Sequence, residues 1–314
     1  MGISHYIKEI GRGKEGARAL SREQATDLME LILQGEVSDL ELGAFCMAMR
    51  IKGETCEEIL GFLAAIQSRI NTVACPSEPG ADQPVIVIPS YNGARRLPLL
   101  TPLLAGLLQR EGFSVLIHGH ASEDQRVSCE SVIQALGWPT AGEALTLVPG
   151  QVLFVSTQRL STGLTRLLNI RRSIGLRNSS HSLAKLINPL SAPSRAILVT
   201  NFTHPEYDIS MTQTLQKSLA NALLLRGTEG EAVADARRRP KMVGFVKGVP
   251  YVLQELSVGA LNQVPTFPEH IDPKSTANYI ECVLAGQIPC PLPIESQVHA
   301  LLDLSLLIKK QSLS

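Results

Sequence analysis

Apolar positions recur at helical spacing through the first seventy residues: Leu28, Leu31 and Ile32, then Leu42, Phe45 and Met49, then Ile59, Phe62, Leu63 and Ile66. Each run is preceded by a hydroxyl residue with Glu or Gln three positions later, at Ser21/Gln24, Ser38/Glu41 and Thr55/Glu58. That spacing predicts capping boxes, in which the hydroxyl accepts from one free amide of the first turn and the acid or amide side chain reaches back to another. Gly35 and Gly53 close the first two helices. The pattern predicts a small all-helical N-terminal domain over 1–75. A Pro- and Gly-bearing stretch from Cys75 to Pro84 then reads as a linker.

From Val85 the period changes. Val85–Ile88, Ser114–Ile117, Gln151–Val155 and Ala196–Thr200 are short apolar, β-branched runs and predict strands. Between and after them, Pro98–Glu111, Gln125–Leu136 and Met211–Leu223 have helical spacing. Strands alternating with helices predict an α/β domain over 84–314, with a mainly parallel sheet flanked by helices. Met242–Phe245 and Pro250–Leu253 predict a hairpin around Lys247 and Gly248, followed by helices from about Pro273 and about Ile294.

With 314 residues, 44% of them hydrophobic and 18% charged, the chain can bury a core without metal or disulfide staples. Its six cysteines include no CxxC pair, so they read as reduced, mostly buried thiols rather than a zinc site. The first sixteen residues carry charges throughout, and no window approaches a span-length apolar run. A cytoplasmic protein without signal peptide or membrane span is expected.

Charge changes the picture more. Lys plus Arg and Asp plus Glu both number 29, yet no acid lies anywhere from Ala144 to Pro205. That stretch holds Arg159, Arg166, Arg171, Arg172, Arg177, Lys185 and Arg195, leaving a net −7 in the rest of the chain. On a helix expected between Gln158 and Ile174, Arg159 and Arg166 would share a face, with Arg171 and Arg172 continuing around it. Such a stripe suits phosphates, of a nucleotide-like substrate or of a nucleic-acid backbone. A solvated face paired with acids elsewhere accounts for the charge equally well.

The segment Gly35 to Asp39, continuing through Met47-Ala48-Met49-Arg50-Ile51-Lys52-Gly53-Glu54-Thr55 to Gly61, resembles the helical domain of anthranilate phosphoribosyltransferase and the nucleoside phosphorylase class II superfamily. Arg171-Arg172-Ser173-Ile174-Gly175-Leu176-Arg177 is similar to the segment that carries that enzyme's anthranilate-contacting arginine, with Arg171 at its position. The resemblance implies a helical domain completed by helices from about 158–187, and dimerisation through it. The enzymes hold phosphoribosyl diphosphate on a glycine-rich turn of the type GTGGDG. Here the chain reads Ile88-Pro89-Ser90-Tyr91-Asn92-Gly93-Ala94-Arg95-Arg96, in which Pro89 lacks a donor and Tyr91 is bulky. Their magnesium-binding acid pair falls on Ala232 and Val233, with Glu231 one position early.

The combination is similar to the YbiB group of anthranilate phosphoribosyltransferase paralogues. That resemblance implies a non-catalytic, nucleic-acid-binding homodimer, with little sequence preference and single strands favoured, using a basic groove on the transferase scaffold. Arg95, Arg96, Arg159, Arg166, Arg171, Arg172, Arg177 and Lys185 are the candidate phosphate contacts, and Tyr91 a candidate for base stacking. No catalytic residue, metal ligand or cofactor is then expected. The alternative is a phosphoribosyltransferase with an altered acceptor, in which Arg171 orients an aromatic carboxylate and Glu229 or Glu231 recruits magnesium. His118 and His181 read as structural hydrogen-bonders, and Arg237-Arg238-Arg239 as a solvated loop.

Overall fold

The computed structural model describes residues 2–75, 83–121, 125–259, 261 and 265–313, so residues 76–82 of the expected linker lie outside the described residues. The chain forms two compact units, Met1–Asn71 with Thr157–Pro189, and Thr72–Ser156 with Leu190–Ser314.

In the first unit all three capping boxes form, at the starts of the helices Arg22–Gln34, Asp39–Lys52 and Cys56–Arg69. Two of the boxes reach further. Glu41 Oε1 accepts from Ile3 N at 2.9 Å. Glu58 is fully buried: its Oε1 accepts from Leu20 N at 2.9 Å, and its Oε2 accepts from Thr55 N at 2.8 Å and pairs with Lys52 Nζ at 2.6 Å. Phe45 and Phe62 meet edge to face at 6.0 Å in the core between these helices.

The single helix expected between Gln158 and Ile174 is instead two, Thr157–Leu160 and Thr162–Ile174. Ser161 separates them in an extended conformation, its side chain accepting from Leu164 N at 3.2 Å. A serine that caps a helix cannot also continue one. The seven-residue spacing of Arg159 and Arg166 therefore does not place them on one helical face.

The second unit is built on β1 (Val85–Ser90), β2 (Val115–Gly119), β3 (Val152–Ser156), β4 (Ala196–Phe202), β5 (Ala222–Thr228), β6 (Glu231–Ala234), β7 (Met242–Val246) and β8 (Val249–Gln254). Their order is β3-β2-β1-β4-β5-β7-β8, with β6 paired to β5. The pairings from β3 to β5 are parallel, and those of β6, β7 and β8 antiparallel. All six residues of β1 are buried, as a central strand covered on both faces requires. The expected hairpin forms as β7 and β8, with Lys247 and Gly248 both at positive φ.

Met211–Leu223 does not form one helix. The helix is Glu206–Lys217, Leu219 turns at φ 54°, and Leu223–Leu225 lie in β5, buried between β4 and β7. A short apolar run has no periodicity of its own to separate strand from helix.

Pro89 has a structural consequence. Ile86 N donates to Ser114 O and Ser90 O accepts from His120 N, so the even-numbered residues of β1 face β2. The missing N–H of Pro89 falls on the β4 side, where pairing with β1 stops at Val87, while pairing with β2 continues to Ser90. β6 packs against both β1 and β4 where they part.

All six cysteines are free, and among the described residues no helix is long and apolar enough to cross a membrane.

Candidate functional site

Strand order reverses at β1: β2 and β3 lie to one side, and the chain then crosses to β4 and β5 on the other. In open α/β sheets, ligands bind beyond the carboxyl ends of the strands at such a switch point. Here that position belongs to the loop Tyr91–Leu100, which leaves the C-terminal end of β1.

A loop of this kind exposes backbone N–H groups that must find acceptors. Glu231 Oε1 accepts from Asn92 N at 2.8 Å and Gly93 N at 2.7 Å. Its Oε2 accepts from Ser90 Oγ, and from Thr101 Oγ1 at 3.3 Å. Ala94 N donates to Val127 O at 2.9 Å. Glu229 Oε2 then accepts from Arg95 N at 2.9 Å, Arg96 N at 3.1 Å and Leu97 N at 3.3 Å. Every amide from Asn92 to Leu97 is thus taken, five of the six by two carboxylates of the chain itself.

The β5–β6 hairpin delivers both acids. Thr228 pairs with Glu231 across a two-residue turn, with Glu229 at φ 52° and Gly230 at φ 90°, the signs of a type I′ turn. Asn92 Nδ2 donates to Glu229 O at 2.8 Å and packs so closely on Gly230 that a side chain there would collide with it. Gly93, at φ 69°, lets two successive amides converge on the Glu231 carboxylate.

Glu231 is 2% exposed, and its buried charge is compensated by four hydrogen-bond donors. Beside it, burial first and the Glu231 charge second push the Cys129 thiol well above its ordinary value. Arg237 forms a two-pronged bond to Asp235, at 2.9 and 2.8 Å. Burial raises the Asp235 carboxyl, but the Arg237 contacts outweigh it and hold it below the usual range.

Tyr91 is 2% exposed, with its hydroxyl 2.9 Å from His118 Nδ1. It offers no open ring face to a base, so the stacking role expected for it is withdrawn. Glu229 and Glu231, the candidate magnesium ligands of the alternative reading, are both engaged with amides, and among the described residues no cluster of acids, His and Cys could hold a metal.

Of the candidate phosphate contacts, Arg95 and Arg96 lie in the α/β unit with exposed side chains. Arg159, Arg166, Arg171, Arg172, Arg177 and Lys185 all lie in the helical unit. Arg166 pairs with Asp39 at 2.8 Å, which is the solvated ion-pair arrangement for that residue. Arg159 and Arg172 are exposed, and Arg171, Arg177 and Lys185 half-buried. Arg50 donates to the Arg177 carbonyl at 3.0 Å.

The chain joins a helical bundle to an α/β unit whose switch-point loop is filled by two of its own carboxylates. The helical-bundle domain model of the glycosyl transferase family matches residues 4–70. The uncharacterized protein YbiB of Escherichia coli is 40% identical over 302 residues, 95% of this chain and 92% of that protein. Anthranilate phosphoribosyltransferase of Methylobacterium nodulans is 25% identical over 292 residues, covering 90% and 82% of the two chains. The crystal structure of the Thermus thermophilus anthranilate phosphoribosyltransferase has the same fold, with a TM-score of 0.70 at 20% identity, over 98% of this chain and 90% of that one. The chain belongs to the glycosyl transferase family of anthranilate phosphoribosyltransferase-like proteins, as a YbiB-type paralogue.

Proposed function

We propose that this protein binds nucleic acid without catalysis, holding the phosphate backbone of DNA or RNA on arginine and lysine side chains with little sequence preference and single strands favoured. The observation that carries the reading is the filled loop. A diphosphate needs the amides that Glu229 and Glu231 occupy, and magnesium needs acids that are not already committed. The same turn leaves the Arg95 and Arg96 side chains exposed, and the helical unit carries six of the seven basic residues of the stretch without acids.

A second copy of the chain is proposed to dock on the helix Asp39–Lys52. Leu40, Met47 and Ile51 recur on one stripe of that helix and are 84%, 37% and 55% exposed. Two copies joined there would offer a long strand two binding surfaces. Free cysteines accord with a reducing, cytoplasmic location.

Fluorescence anisotropy of a labelled single-stranded oligonucleotide across a salt series tests the reading. Log affinity should fall with log salt by about 0.7 per phosphate contact, and Arg171→Ala/Arg172→Ala should weaken binding and flatten that slope by about 1 to 2. Absence of binding at low salt, with magnesium-dependent heat on adding phosphoribosyl diphosphate, would replace this reading with the altered-acceptor transferase. Light scattering tests the pairing, with Ile51→Glu expected to halve the mass.

A further inference from the structure

The two carboxylates on the loop are held differently. Glu231 is enclosed, and two hydroxyls share it with two amides. Glu229 is half-buried at the tip of a two-residue turn, in a left-handed conformation that costs a non-glycine residue about 1 to 2 kcal/mol. Its partners on the loop are the three amides of Arg95, Arg96 and Leu97, at 2.9 to 3.3 Å. Successive amides converging on one anion form the concavity in which proteins hold phosphate oxygens. Here an exposed pair of arginines flanks it, and a carboxylate already sits in it.

We propose that the Arg95–Leu97 amides are an exchangeable phosphate seat, occupied by Glu229 in the free protein and yielded to a phosphate of the bound strand. The source of the phosphate rests on the nucleic-acid reading; the seat itself does not. The exchange replaces one anion by another and breaks no covalent bond. Asn92 keeps its hold on the Glu229 carbonyl, so the turn stays docked while the carboxylate rotates away. Glu231 stays in place, so one seat opens and not two, which admits a single phosphodiester and still refuses a diphosphate.

An internal competitor weakens the apparent affinity of its rival by the fraction of time the seat is open. Inorganic phosphate is therefore the first probe, titrated into the full chain with the amide resonances of Arg95, Arg96 and Leu97 followed by NMR. Glu229→Ala should bind phosphate about ten- to a hundredfold more tightly than the wild type, with shifts centred on those three amides. Glu229→Gln keeps the size and one acceptor oxygen; it should fall between the two and serves if the alanine variant does not fold. In the second arm a single-stranded oligonucleotide should move the same three amides in the wild type. Equal phosphate affinity in wild type and both variants, or shifts centred elsewhere, would overturn the seat. A response to phosphate but not to a strand that binds would overturn the strand's claim on it. If no strand binds at all, the functional reading fails, and the phosphate arm still decides the seat.

Discussion

Both units hold glutamates against backbone amides, but over different distances along the chain. In the helical unit the capping acids Glu41 and Glu58 sit three residues from the N-caps they serve. In the α/β unit, Glu229 and Glu231 sit between 130 and 141 residues from their partners. The chemistry is the same: an amide that lacks an acceptor is given one. What differs is what each acid secures, a helix end in one unit and the shape of a ligand loop in the other. The local device fixes an element, and the distant device fixes the joining of two elements, and with it what the loop can bind.

Glu58→Ala should have the largest effect. Glu58 serves the local box, the distant Leu20 amide and the buried Lys52, so its loss strands a charge and should destabilise the protein by about 3–5 kcal/mol in urea unfolding. Glu231→Ala leaves two amides and two hydroxyls without their acceptor, with an expected loss of about 3 kcal/mol and greater exchange of the Asn92 and Gly93 amides. A loss no larger than that of a single cap would erase the distinction between the two devices. Ser38→Ala, which removes only a local cap, should cost about 1 kcal/mol by the same measurement.

The smallest effect is in pH. Glu41 is held below the ordinary glutamate range, chiefly by the Ser38 hydroxyl and then by the Ser38 amide. A carboxyl lowered in the folded state adds stability that is full above its unfolded pKa and is lost as pH falls through the folded value. Unfolding compared at about pH 6 and about pH 3 should therefore show a smaller acid loss in Glu41→Gln than in the wild type.

The same contrast explains what could be read in the sequence. The three capping boxes, the four leading strands and the Lys247-Gly248 hairpin all rest on spacings of a few residues, and all formed. Ser161 was readable as a cap but was absorbed into a longer helical pattern. Glu229 and Glu231 enter the sequence reading only as magnesium ligands of the alternative, because nothing local shows that their oxygens meet amides of residues 92–97. The signal that was present is Glu229-Gly230 between short apolar runs, a two-residue turn without the usual asparagine. Tyr91 is a stacking candidate only by its aromatic ring, which packs in a core as readily as it stacks on a base, and the side chain that follows a buried strand is itself buried.

The helical unit is discontinuous in the chain, beginning before Asn71 and completed only by Thr157–Pro189. During synthesis its first five helices emerge well before the Thr162–Ile174 helix that packs against Arg22–Gln34. At ribosomal rates that interval is on the order of ten seconds, during which the apolar faces of the nascent bundle lack their last partner. Early helices that carry their own caps hold their shape through that wait, which makes the capping boxes as much a provision for the nascent chain as for the finished protein.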